Sequence, residues 1–339
     1  MTIAALPEIA ELEALIELAG PRAEVRQLDE IQDARARYPL VSIQIGSRSP
    51  EAPAIGLFGG VHGLERIGTH VLLSYLADVL ERLGRDETLE RLLESVRLIF
   101  MPLVNPAGMV RATRANANGV DLMRNAPIES RERVTFLLGG QRITPILPWY
   151  RGAPGAPMEP ESRALCDLVR TELLPRPFSL ALDCHSGFGL TDRIWFPHAH
   201  TRDPFAHLAE VHALKQRFDA EHPEHAYLFE PQSRRYLTHG DLWDYLHAEA
   251  AADQRLFLPL TLEMGSWRWI LERPRQLLSR AGIFNPLRRE RAERVRRDHI
   301  RWLDFLCAAV HAWRDWLPSG DGRDHHERLG LAAWFGRAA

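Results

Sequence analysis

Two histidines and a glutamate, widely separated in a chain of 339 residues, have the types and settings that hold a divalent metal ion. His62 and Glu65 stand in GGVHGLE, directly after the apolar, glycine-terminated run APAIGLFGG. An imidazole and a carboxylate three residues apart at a tight turn can point at one ion. Gly59, Gly60 and Gly63 let the backbone approach closely there without side-chain clash. His-x-x-Glu alone is a weak signal. The chain repeats it at His207 and Glu210, inside the plain helical pattern HLAEVHALKQRF, which reads as a solvated helix face. DCHSG supplies the third donor, His185, at the end of another apolar run. Strand alternation puts Asp183 and His185 on one face and Cys184 on the other, so Cys184 reads as a core residue and not a ligand. Two nitrogens and one carboxylate leave a fourth position open to water, the pattern of catalytic rather than structural zinc.

Chemistry needs more than the ion. Glu263 closes the apolar run LTLEMGS, where a carboxylate is costly to bury without a partner or a task. Beside a zinc-bound water it would serve as general base and then protonate a leaving amine. The segment VNPAGMVRATRANANGVDLMRNAP carries Arg111, Arg114, Arg124 and Asn125. A guanidinium clamps a planar carboxylate through two parallel hydrogen bonds and stabilises a developing oxyanion. His198, His200 and His239 could build a second metal centre, but they read as rim or core histidines, and one zinc ion is expected.

These residues need a scaffold. MTIAALPEIAELEALIELAG is apolar at helical spacing and carries four Glu with no basic leader, so residues 1–20 predict an amphipathic helix and not a signal peptide. Two β-rich runs, AEVRQLDEI and YPLVSIQIGS, follow. Strands then alternate with helices: APAIGLFGG, SVRLIFMPLV, PFSLALDC and RLFLPLTLE are apolar, and the segments between them show 3.6 periodicity. That alternation predicts an α/β chain, a single catalytic domain over 1–339 with helices on both faces of the sheet. Ligands bind beyond the carboxyl ends of strands in such sheets, which is where the candidate residues fall. The irregular stretch from Arg111 to about Trp149 is a functional loop by its length. Residues 318–339, with GDGRDHHERLG, read as a flexible tail.

Bulk composition excludes other classes. A net charge of −3 offers no positive excess for a nucleic-acid backbone. No uncharged apolar run reaches membrane-spanning length. Three isolated cysteines, Cys166, Cys184 and Cys307, with no CxxC spacing suggest a reducing compartment, and the cytoplasm is the expected location. Oligomeric state is not legible.

In order along residues 55–265, GGVHGLE, VNPAGMV, RANANGVDLMRN, YRGAPGAPMEPES, DCHSG and LTLEMG make the chain resemble the zinc carboxypeptidases of the M14 type. The resemblance implies a three-layer α/β/α domain around a mixed twisted sheet. It implies His62, Glu65 and His185 as zinc ligands, Glu263 as general base and Arg114 as oxyanion stabiliser. Arg124 with Asn125 would bind a substrate carboxylate, Tyr236 would be the mobile active-site tyrosine, and Tyr245 would belong to the supporting structure. Asp121 would be the partner that fixes the tautomer of the first zinc histidine. The chain departs from the family where Met123-Arg124 replaces Asn-Arg, because Met cannot donate a hydrogen bond. Peptide hydrolysis from the C-terminus is the leading expectation. An N-acyl amino acid deacylase resembling the aspartoacylase and succinylglutamate desuccinylase branch is the alternative. A catalytically inactive ligand-binding relative is the third, disfavoured because binding alone needs no base.

Overall fold

The computed structural model describes residues 6–33 and 36–336. Eight strands form one sheet: β1 (Ala23–Asp33), β2 (Ala36–Gly46), β3 (Ala54–Gly59), β4 (Arg97–Met101), β5 (Ser179–Ser186), β6 (Arg193–Phe196), β7 (Leu228–Pro231) and β8 (Phe257–Met264). Their order is β1-β2-β4-β3-β5-β8-β6-β7. The two β-rich runs pair as an antiparallel hairpin, and β2 lies antiparallel to β4. β4, β3, β5 and β8 run parallel, and β6 returns antiparallel against β8. The sheet is therefore mixed. β3, β4 and β5 are covered on both faces and buried at every position, which is why they are largely apolar, with Arg97 on β4 and Ser179, Asp183, His185 and Ser186 on β5 as the polar exceptions.

Among the described residues twelve α-helices cover the sheet and its ends: α1 (Pro7–Ala19), α2 (Arg66–Arg82), α3 (Glu87–Ser95), α4 (Pro106–Arg111), α5 (Pro160–Glu172), α6 (Leu208–Glu221), α7 (Leu242–Ala252), α8 (Trp267–Glu272), α9 (Arg280–Phe284), α10 (Arg289–His311), α11 (Trp313–Trp316) and α12 (Gly320–Phe335). Leu180, Leu182 and Cys184 of β5 pack with α2, α6 and α10 on one face. Ala181 of the same strand packs with α5 and α7 on the other. Cys184 is thus a core residue.

Two expectations are corrected near the C-terminus. The stretch expected to be a flexible tail forms α12 over most of its length and lies along α6. Trp334 is buried there against Phe196, and its indole N–H donates to the Phe229 carbonyl at 2.7 Å. Polar composition concealed this because the helix docks through paired polar groups as well as apolar ones. For the same reason His207 and Glu210 do not lie on a solvated face: Glu210 is buried and accepts from Arg323 of α12 at 2.8 Å.

Candidate metal centre

The parallel strands end side by side, and their loops bring the candidate donors together. β3 runs into the His62–Glu65 turn, β5 carries His185 as its penultimate residue, and His185 stands in register with Glu263 on β8. Gly60 turns the chain at φ +66°, and a Cβ on Gly63 would lie 2.0 Å from the Gly108 carbonyl carbon, so only glycine lets the turn pack on α4. Asn105 holds the two together: its Oδ1 accepts from Gly108 N–H and its Nδ2 donates to the Val61 carbonyl.

Three buried side chains converge. His62 Nδ1 is 2.9 Å from Glu65 Oε1, His185 Nδ1 is 3.0 Å from Glu65 Oε2, and the two Nδ1 atoms are 3.1 Å apart. The outer nitrogens face carboxylates: His62 Nε2 lies 3.2 Å from Asp121 Oδ1, and His185 Nε2 lies 2.7 Å from Asp183 Oδ2. With an ion in place each Nε2 would keep its proton toward its carboxylate, and each Nδ1 would present a lone pair inward. Zinc–nitrogen bonds of about 2.0–2.1 Å in a tetrahedron space their ligand atoms by roughly 3.3 Å, so three donors at this spacing suit one zinc ion.

The charges agree. Burial acts to raise the Glu65 carboxyl, but His62 and His185 outweigh it and hold it well below the usual carboxylate range. Burial likewise opposes ionisation of Asp121, and Arg114 with His62 pulls it far below its ordinary value. His185 is displaced upward: burial disfavours its charge, and Asp183 and Glu65 more than compensate.

Arg114 Nε donates to Asp121 Oδ2 at 2.7 Å and Nη1 reaches Glu65 Oε1 at 3.3 Å, which fixes the guanidinium at the rim of the donor cluster. Glu263 is buried and accepts Phe188 N–H at 3.0 Å. Among the described residues no basic side chain forms a salt bridge with it. Burial first, and the Glu65 charge second, push its carboxyl up to about 8. His62, Glu65, His185, Arg114 and Glu263 line one open cleft of about 250 Å³, together with Met123, Arg124, Phe188, Trp195, Asp241 and Tyr236. Arg124 sits with its guanidinium 6.0 Å from the centre of the Tyr236 ring.

Not every candidate reaches the cleft. Asn125, expected to help hold a substrate carboxylate, is spent elsewhere: its Nδ2 donates to the Arg151 carbonyl and its Oδ1 accepts from Glu159 N–H at 2.7 Å. It fastens the long loop and is absent from the cleft wall. Arg111 pairs with Asp33 of β1. Tyr245 stacks under Arg170 between α5 and α7, in the supporting structure. Asp183 is the participant whose role the sequence leaves unassigned. Its shared strand face with His185 was the available signal.

A mixed α/β sheet with a His-Glu-His cluster at the carboxyl ends of its parallel strands, and a buried carboxylate beside it, defines a metal-dependent hydrolase architecture. The zinc carboxypeptidase family model matches residues 18–262, and the chain belongs to that family. Carboxypeptidase E of Caenorhabditis elegans is 32% identical over 197 residues, 52% of this chain and 40% of that protein. Carboxypeptidase SOL1 of Arabidopsis thaliana is 33% identical over 108 residues, 31% of this chain and 22% of that protein. The chain thus spans less than half the length of these relatives. Thrombin activatable fibrinolysis inhibitor superposes with a TM-score of 0.65 at 19% identity, over 92% of this chain and 74% of that one. Carboxypeptidase A from Helicoverpa armigera gives 0.57 at 18% identity, over 77% and 65%. At such identities the likeness is one of fold.

Proposed function

We propose that this chain is a zinc metallocarboxypeptidase that hydrolyses the last peptide bond of a peptide with a free C-terminus. The observation that carries the reading is the meeting of the three-donor cluster, Glu263 and Arg114 in one cleft. His62, Glu65 and His185 would hold the ion, whose Lewis acidity polarises a carbonyl and acidifies water. Glu263, which among the described residues forms no salt bridge, takes a proton from the attacking water and passes it to the departing amine. Arg114, braced by Asp121, points charge at the rim where an oxyanion would develop. Arg124 with Tyr236 above it receives the substrate carboxylate, and burial raises the Tyr236 hydroxyl so that it remains a donor. The three cysteines, free and buried, support a reducing compartment, and we place the chain in the cytoplasm.

One observation favours a second reading. Met123 lines the cleft beside Arg124 and offers no donor, so half of the family's carboxylate clamp is replaced by a thioether. An N-acyl amino acid deacylase fits that loss. The test is a hydrolysis panel with the zinc-loaded protein: peptides with free C-termini, the same peptides amidated, and N-acyl amino acids. Cleavage restricted to free C-termini supports the carboxypeptidase. Equal cleavage of amidated peptides overturns exopeptidase specificity, and turnover of N-acyl amino acids alone establishes the deacylase.

A further inference from the structure

A second group of metal-ligating side chains lies outside the catalytic cluster, between the end of β6 and α7. His198 and His200 lie in the bend that follows β6, and Asp244 lies in the first turn of α7. One ligand atom from each of the three can be chosen so that all lie within 4.8 Å of one another. Asp244 is held there by the chain itself: its Oδ2 accepts the backbone N–H groups of Ala199 and His200, each at 2.7 Å, and faces His200 Nδ1 at 2.5 Å. The rings of His198 and His200 are 5.0 Å apart and nearly perpendicular. His247, one turn beyond Asp244, brings a third imidazole, its ring centre 5.8 Å from that of His198.

The Asp244–His200 contact alone has an ordinary explanation, a buried pair that ties the end of β6 to α7. That explanation leaves two atoms over. Nδ1 of His198 and Nδ1 of His247 are both buried without a hydrogen-bond partner. Buried polar atoms in folded proteins nearly always have partners, and an orphaned one calls for a ligand, an ion or a water. The orphaned nitrogen of His198 lies in one group with the anchored carboxylate of Asp244, and imidazole with carboxylate is the donor set that zinc and its neighbours in the first transition row prefer.

We propose that His198, His200 and Asp244 form a second divalent transition-metal site, distinct from the His62–Glu65–His185 cluster and suited by its donors to zinc. Asp241, three residues before Asp244, caps α7 and lines the catalytic cleft. An ion at the second site would therefore clamp the turn of α7 that borders the substrate, without contributing a catalytic group.

Metal stoichiometry tests this directly. Metal-free chain is titrated with zinc and the bound ion counted by elemental analysis after dialysis. Two equivalents are expected for the unmodified chain, and one each for His198→Ala and His185→Ala, with none for the double variant. Saturation of the unmodified chain at one equivalent, or retention of both by His198→Ala, overturns the second site while leaving the first untouched. Cobalt(II) titration of the unmodified chain gives a count that needs no substitution: growth of the visible absorption through two equivalents supports the site, and a plateau at one removes it.

Discussion

His185 Nε2 and Asp183 Oδ2 lie 2.7 Å apart on one face of β5, and the Trp243 indole donates to the same oxygen at 2.9 Å. Asp183 thereby aims a neighbour's lone pair at the shared point without itself approaching it. Removing an oriented partner of a ligating histidine typically weakens metal binding about 10–100-fold. Asp183→Asn is expected to lose zinc affinity by that factor, measured by competition with a chromophoric chelator, while its circular dichroism stays that of the parent. Unchanged affinity would mean that strand geometry alone orients the ring.

Proton balance gives a second expectation. Asp183 and Glu65 raise His185 well above an ordinary imidazole, against burial. The protonated ring therefore stabilises the metal-free fold fully below the unfolded value of about 6.5, and that contribution is lost as pH rises through the folded pKa. Zinc requires the unprotonated ring, so binding expels a proton. Affinity should strengthen as pH rises through neutrality. Calorimetry in two buffers of different ionisation heat should register net proton release, and its absence near pH 7 would place His185 in the neutral form already.

Glu263→Gln preserves size and can still accept Phe188 N–H, but it cannot take a proton. Positioned acid–base groups contribute roughly 10²–10⁴-fold. A fall in kcat of that order with unchanged zinc content is the expected result. Full turnover in this variant would require another base.

Much of this site was legible because its signals are local. Glycine-ended apolar runs mark the carboxyl ends of β3 and β5, and a turn with Gly60 and Gly63 admits His62 and Glu65 where a side chain would collide with Gly108. Period-2 alternation likewise places Asp183 with His185 and sends Cys184 to the core. What stayed hidden depends on partners distant in sequence. Asn125 and Arg124 are adjacent, yet one meets the Arg151 carbonyl and the other faces the cleft. Glu210 looks solvated until Arg323 arrives from a helix more than a hundred residues later. No periodicity reports such pairings.

The docking of α12 has its own consequence. Trp334 fills the space between Phe196 and the Phe229 carbonyl at 7% exposure. Truncating a buried tryptophan to alanine costs about 3–5 kcal/mol. Denaturant unfolding of Trp334→Ala should show a loss of that size with an unaltered active-site zinc count. A loss under about 0.5 kcal/mol, the scale of surface substitutions, would mean that α12 adds little to the fold.

Met123 offers a test of where a substrate carboxylate binds. Its side chain lies beside Arg124 at 5% exposure and, as a thioether, donates no hydrogen bond there. Met123→Asn would supply the missing N–H within a water-poor wall. A hydrogen bond to a charged group is worth about 1.5–3 kcal/mol, which is roughly ten- to a hundredfold in affinity. For a substrate anchored by its carboxylate, KM should fall by that factor for free C-termini and stay level for the amidated counterparts. If both respond alike, the carboxylate does not sit at Arg124, and the thioether instead marks a wall shaped for a different end of the substrate.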